Sequence, residues 1–246
     1  MSSISSIEWT NSTWNPVTGC SKLSPGCANC YAERLAKRLK NMGNPRYSHG
    51  FQVCLHDDLL ALPLKWRQPR LVFVNSMSDL FHEMVPFEFI EAVFTTIQST
   101  PRHTFQILTK RARRLAELSH SLPWPNNLWI GVSIENQDFA WRADYLNRVP
   151  ASVKFISFEP LLGFLELPLD DIQWVIVGGE SGPGARPMDI NWARSIRNRC
   201  TEAKVAFFLK QLGGAKDKRG KNQALLDGKP WKELPFSSFV TSSCVV

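Results

Sequence analysis

The sequence predicts an α/β fold: a partial, open parallel β/α barrel of about six to seven strands. Three observations carry that expectation. Short apolar runs rich in Val, Ile, Phe and Trp recur along the 246 residues, mostly continuous in hydrophobicity, as strands buried on both faces must be. Helical patterns fall between most of them, and this alternation gives a parallel sheet with helices outside. The strand count stays near seven, short of the eight that close a barrel.

The first strand is expected near 7–10, directly before a Gly/Pro/Ser-rich loop. A helical pattern over 28–42 follows. Further strands are expected over 71–74, 104–108, 128–132, 153–156, 174–177 and 205–209. Helical patterns over 86–99, 111–119, 137–147 and 191–203 separate them, with Pro86 and Pro123 marking helix boundaries. The proline-rich segment 161–171 reads as an extended crossover. A single domain is expected over 1–235. The Ser/Val-rich stretch 236–246 lacks a periodic pattern and reads as a loose tail.

Polar residues stand directly after each strand. They include Ser76, Ser78 and Asp79, then Lys110, then Ser133 and Glu135. Glu159 and the run Gly178-Gly179-Glu180 follow later strands. In a parallel α/β barrel such positions ring the C-terminal mouth, where active sites are assembled. Solvation of turns explains one such residue better than it explains all of them.

The sharpest feature is the loop after the first strand, Trp14-Asn-Pro-Val-Thr-Gly-Cys20-Ser-Lys-Leu-Ser-Pro-Gly-Cys27-Ala-Asn-Cys30-Tyr31, with its C-x6-C-x2-C spacing. Three soft thiolates suit a metal, and three instead of four leave a coordination position open. An iron–sulfur cluster with a free iron and a zinc with a free site both meet that description. Trp9 and Trp14 are expected to pack beneath the loop. Cys54, Cys200 and Cys244 are isolated and read as small buried hydrophobes or, for Cys244, a tail thiol. The five histidines are scattered and read as surface or core residues.

No basic start followed by an apolar stretch opens the chain, and no run is long enough to cross a membrane. A cytoplasmic protein with reduced thiols is expected. The net charge of +7 favours an anionic partner, with nucleic acid the obvious class. The basic clusters at 110–114 and 216–221 read as a solvated helix face and a solvated loop. Arg186, in the rigid Gly182-Pro-Gly-Ala-Arg186-Pro187 loop, is placed to meet a phosphate or a carboxylate.

A cysteine loop after the first strand of a partial α/β barrel resembles the radical S-adenosylmethionine (SAM) enzymes. More narrowly, Trp14 to Cys20, Gly26-Cys27-Ala-Asn-Cys30-Tyr-Ala32, Asn75-Ser-Met-Ser-Asp79, Gly131-Val-Ser-Ile-Glu135 and Val177-Gly-Gly-Glu-Ser-Gly182 resemble a phage and prophage family of unknown function. That family is distantly similar to spore photoproduct lyase. The resemblance implies a 4Fe–4S cluster on Cys20, Cys27 and Cys30, with SAM bound at its unique iron. It further implies reductive cleavage of SAM to a 5′-deoxyadenosyl radical that acts on an unidentified substrate, with nucleic acid or a nucleotide the expected class. An electron donor is required, and a genomically linked protein is an expected partner. On this resemblance Asp79, with Ser76 and Ser78, would serve the SAM ammonium, and Lys110 the carboxylate. Ser133 and Glu135 would serve the ribose, Gly178 and Gly179 would admit a flat ring or an amino-acid moiety, and Glu180 would add an acceptor. No catalytic residue is assigned. The alternative is a non-catalytic zinc-binding phage accessory protein that binds nucleic acid, with His49, Cys54 or His56 as a fourth ligand. A degenerate barrel that binds a partner is a third.

Overall fold

The computed structural model describes residues 5, 7–216 and 223–235. The expected tail 236–246 with Cys244, and residues 217–222, which include most of the second basic cluster, lie outside the described residues. In chain order the elements begin with β1 (Ser12–Trp14), β2 (Val17–Thr18), α1 (Tyr31–Asn41), β3 (Cys54–Leu55), α2 (Asp57–Leu60) and β4 (Leu71–Val74). They continue with α3 (Phe87–Gln98), β5 (Thr104–Thr109), α4 (Ala112–Leu118), β6 (Leu128–Ser133) and α5 (Arg142–Asn147). The remainder are β7 (Val153–Phe158), β8 (Trp174–Gly178), α6 (Ile190–Ala203), β9 (Ala206–Gln211), β10 (Leu225–Leu226) and β11 (Lys229–Pro230).

The main sheet has seven strands in the order β1-β4-β5-β6-β7-β8-β9, the partial-barrel α/β class expected from the sequence. The described residues fall into two compact units. One is drawn from Met1–Ser133 and Trp141–Ser152, the other from Ile134–Ala140 and Val153–Val246.

In the first unit β1 pairs in parallel with β4, β4 with β5 and β5 with β6. Trp14 stands opposite Val74 at the last paired position, so β1 and β4 end together and their loops leave from one side. Trp14 is 1% exposed and lies edge-on to Phe105 at 5.8 Å. Its indole N–H donates to the Leu59 carbonyl at 2.8 Å, so a large apolar side chain is buried with its polar atom satisfied. Trp9 packs on Phe73, ring centroids 4.6 Å apart. Helix α3 turns Phe89, Ile90, Val93, Phe94 and Ile97 inward, the i, i+3, i+4 stripe of a helix with one buried face. Each such side chain contributes roughly 1.5–3 kcal/mol when fully buried. Helix α1 buries only Ala32 and Ala36, against Tyr47 and Met77, with Cys30 and Phe51 packed alongside. Small residues thus bring the helix after the cysteine loop onto the loop after β4.

In the second unit β7 pairs with β8 and β8 with β9, again in parallel. Trp174 holds Phe155 at 5.3 Å and Phe208 at 6.1 Å and donates its indole N–H to the Glu233 carbonyl. Helix α6 starts at Asp189, whose side chain accepts from the Asn191 N–H, and ends at Lys204 in the left-handed region. Its buried Ala193, Ile196 and Cys200 face inward. Burial pushes the Cys200 thiol up to about 12, as suits an inert core cysteine. Among the described residues no helix is long and apolar enough to cross a membrane.

The structure corrects several local expectations. The first strand is Ser12–Trp14, not 7–10. Residues 7–10 close a turn instead, with the Thr10 N–H donating to the Ile7 carbonyl, and the Thr10 hydroxyl is spent on Leu71 and Ser12 carbonyls. The helix expected over 28–42 starts only at Tyr31, because residues 25–27 form a separate turn. The pattern over 137–147 splits into a turn at Gln137–Phe139 and α5. The segment 161–171 is indeed without helix. Two small antiparallel pairs, β2 with β3 and β10 with β11, lack a run long enough to be read from sequence.

Candidate functional site

The cysteine loop hangs from backbone that only particular residues can supply. Gly19 has φ +83°, and a Cβ there would lie 1.9 Å from the Gln52 carbonyl oxygen. Its N–H donates to Met77, and the Cys20 N–H donates to Phe51, so the strand before Cys20 is pinned from both sides. Asn75, also left-handed at φ +60°, takes up its carboxamide oxygen with the Val17 N–H at 3.2 Å. Asn tolerates that backbone region better than most residues.

After Cys20 the chain makes one tight turn at Pro25–Cys27, where the Cys27 N–H donates to Ser24. Cys30 then stands at the start of α1. Cys20, Cys27 and Cys30 are all free thiols and all partly buried.

Against Cys20 lies a network built on one guanidinium. The Arg111 side chain is 4% exposed. Its Nη1 lies 3.6 Å from Cys20 Sγ and 3.2 Å from Asp79 Oδ2. Its Nε meets Glu83 at 3.0 and 3.1 Å, and its Nη2 donates to Ser21 Oγ at 3.0 Å. Asp79 is held just as fully. It accepts from the Thr109 hydroxyl at 2.7 Å and from the Phe81 and Lys110 backbone N–H groups at 3.0 and 3.1 Å. Burial pulls the Arg111 pKa down, but Asp79, Cys20 and Glu83 outweigh it and hold the guanidinium above its usual value. Burial, then Asp79, pushes the Cys20 thiol up to about 11, with Arg111 opposing.

His82 completes the network. Its Nδ1 accepts from the Met84 N–H at 3.1 Å, which leaves the ring proton on Nε2, 2.8 Å from Ser21 Oγ. Burial and Arg111 keep its pKa below the usual histidine value. Ser21 therefore accepts from two donors and keeps its own proton to donate. An open cleft of about 600 Å³ lies over these groups, lined among others by Cys20, Ser21, Lys22, Phe51, His82 and Met84.

Among the described residues no group of three or more His, Cys, Asp or Glu is gathered to hold a metal ion. By donor type, however, the residues fit an iron–sulfur cluster. Three unpaired thiols share one loop, Cys27 is near enough to Cys20 to act on its charge, and a fixed N–H points at the first sulfur. The histidines nearest the loop are already engaged, His56 with Thr18 at 2.9 Å and His82 with Ser21.

The second unit carries its own polar cluster. Glu159 accepts from Ser157 Oγ at 3.0 Å, and its other oxygen lies 2.8 Å from Lys210 Nζ. Glu180 accepts three bonds from Arg186, two through the guanidinium and one through the backbone N–H. That pairing raises the Arg186 pKa, with a further contribution from Glu135, which is fully buried. Gly178 leaves room for Glu159, since a Cβ there would sit 2.8 Å from Glu159 Oε1. Gly179 packs on backbone, its missing Cβ 2.3 Å from the Leu212 carbonyl oxygen.

The residues singled out in sequence thus serve unequal ends. Asp79 and the Lys110 backbone meet at the cysteine loop. The Ser76 and Ser78 hydroxyls are bonded to Asn15 and to the Val17 carbonyl, stitching the loop after β4 to the chain after β1. The buried Ser133 accepts at its carbonyl from Arg142. Arg111, Ser21, His82 and Glu83 were not singled out. Arg111 follows β5 by the same strand-end rule that pointed to Lys110, and that was its available signal.

Solved structures similar to this chain include spore photoproduct lyase complexed with dinucleoside spore photoproduct, at 12% identity and a TM-score of 0.47. A double mutant of that lyase with bound AdoMet and dinucleoside spore photoproduct matches at the same identity and TM-score. In both, 82% of this chain is covered, and the chain spans 64% of the length of the matched structure. No functionally curated protein matches the sequence. A family model, described as "Protein of unknown function (DUF5131)", matches residues 4–235, and the chain belongs to that family.

Proposed function

We propose that this protein is a radical-SAM-like iron–sulfur enzyme acting on a nucleic acid or nucleotide substrate, as one catalytic domain over 1–235 in a cytoplasmic, phage-associated setting. The observation that carries the reading is the cysteine loop itself, whose first sulfur faces a buried guanidinium at the ends of parallel strands β1, β4 and β5. Cys20, Cys27 and Cys30 would hold a 4Fe–4S cluster. When bound, that cluster supplies the electron that cleaves SAM reductively to methionine and a 5′-deoxyadenosyl radical.

The chain's own residues have separable tasks. Gly19 and Asn75 fix where the loop starts. Arg111 holds positive charge beside Cys20, and Asp79 holds Arg111. Lys110 suits the SAM carboxylate as a point charge. Ser133 and Glu135 suit ribose hydroxyls, while Gly178 and Gly179 make room for Glu159 and for the Leu212 carbonyl instead of for a ligand. In Glu159–Lys210 and Glu180–Arg186 each carboxylate is matched to a cation, which compensates the burial of two acids. The net charge of +7 supports a polyanionic substrate. An electron donor and a genomically linked protein complete the set of partners.

The test is turnover. Protein reconstituted without oxygen and reduced with dithionite should form 5′-deoxyadenosine from SAM, and Cys20→Ala should abolish it. Stoichiometric zinc with no 5′-deoxyadenosine would replace this reading with a zinc-dependent binding protein.

A further inference from the structure

We infer that Arg111 is a positioning residue for the iron–sulfur cluster: its Nη1–H hydrogen-bonds the Cys20 sulfur and raises the reduction potential of what that sulfur ligates. The inference rests on the iron–sulfur reading above.

The geometry is specific to a guanidinium. Arg111 contacts four side chains at once: Nε meets Glu83, Nη2 meets Ser21, and Nη1 lies between Asp79 and Cys20. A lysine ammonium has three donors on one point and cannot span four acceptors. Burying a cation demands compensation, and Asp79 and Glu83 supply it without Cys20. The bond to Cys20 is therefore extra to what keeps Arg111 folded in place. It is a consequence of how the other partners aim the fork. Asp79 cannot swing away, because Thr109 and two backbone N–H groups hold it. Ser21 cannot either, because His82 donates to the same oxygen.

Such a donor acts on a sulfur in a known direction. Hydrogen bonds and positive charge at a cluster's sulfurs favour its reduced, more negative form and so raise its potential. Glu83, whose side chain is 63% exposed, is the tether that can be removed without opening the core.

The experiment reconstitutes the full-length chain with iron and sulfide under argon, as wild type, Arg111→Lys and Glu83→Gln. Iron and sulfide per chain, thermal melting and the midpoint potential are measured for each. Arg111→Lys should load and show a lower potential, with the oxidised-to-reduced ratio at a fixed potential shifted about tenfold, which is about 59 mV for one electron. Glu83→Gln should shift it the same way by less. Where folded Arg111→Lys takes up under half the wild-type iron, Glu83→Gln decides: a lowered potential supports the assignment and an unshifted one overturns it. Loaded Arg111→Lys with the wild-type potential overturns it and leaves the iron–sulfur reading intact. If Arg111→Lys does not fold, an unshifted potential in Glu83→Gln overturns it. Wild-type protein that takes up no iron overturns the iron–sulfur reading and this assignment with it.

Discussion

The two polar clusters solve the burial of charge differently. Around the cysteine loop one guanidinium serves four side chains drawn from widely separated positions, 28 to 91 residues away in sequence. In the second unit the charges are matched in pairs, Glu159 with Lys210 and Glu180 with Arg186. The first arrangement depends on its buried acid, Asp79, for all four contacts, whereas the second fails pair by pair. The contrast also has a chemical sense. A shared network fixes the position of a sulfur, whereas paired charges compensate each carboxylate locally and leave its surroundings adaptable.

The strongest way to break this contrast is to remove one acid from each cluster. Asp79→Ala leaves a buried guanidinium short of its main partner and should cost about 3–5 kcal/mol, read by urea denaturation. Glu180→Ala should cost less, about 1–2 kcal/mol, because the Arg186 side chain is 35% exposed and can turn to water. Equal costs would mean that the first network is no more shared than the second.

The glycines sharpen the same point at a smaller scale. Gly19→Ala meets backbone and must adopt a positive φ, so it should lose about 3 kcal/mol and disturb the cysteine loop. Gly178→Ala meets mainly the end of the Glu159 side chain, which can rotate, and about 1 kcal/mol is expected. Thermal melting of the two variants separates them. A loss at Gly178 as large as that at Gly19 would show the Glu159–Lys210 pair to be as rigid as the loop.

Acidity gives the gentlest probe, and it acts on the first unit. His56, His82 and His103 are each held below the usual value of 6.5, in every case chiefly by burial. Their neutral forms are favoured on folding, so the unfolded chain binds more protons between the lowered values and 6.5. Stability is therefore full above about pH 6.5 and is lost as pH falls below it. The melting temperature should drop from pH 7 to pH 5, and His103→Gln should flatten the drop. A profile flat over that range would mean the histidines are not desolvated.

The sequence made much of this legible, for physical reasons that differ by element. Buried parallel strands such as 128–133 are continuous apolar runs, so their existence can be read directly. Asp79 and Glu180 were visible because strand ends in such folds point to one side. Their partners were not. Arg111 sat in a basic stretch that resembles a solvated helix face, and only folding brings it to Cys20. The first strand was misplaced because Ile7-Glu-Trp-Thr10 has strand composition, while the Ile7–Thr10 hydrogen bond makes it a turn. Ser76 and Ser78 were legible as polar, but not as donors to Asn15 and Val17, some 61 residues away.

The central claim is that Cys20, Cys27 and Cys30 hold a cluster that SAM reaches. Electron paramagnetic resonance tests it most directly, on protein reconstituted without oxygen, reduced with dithionite and recorded with and without SAM. A reduced 4Fe–4S signal is expected in the wild type, perturbed by SAM and lost in Cys20→Ala. No cluster signal, with one zinc per chain instead, would contradict it.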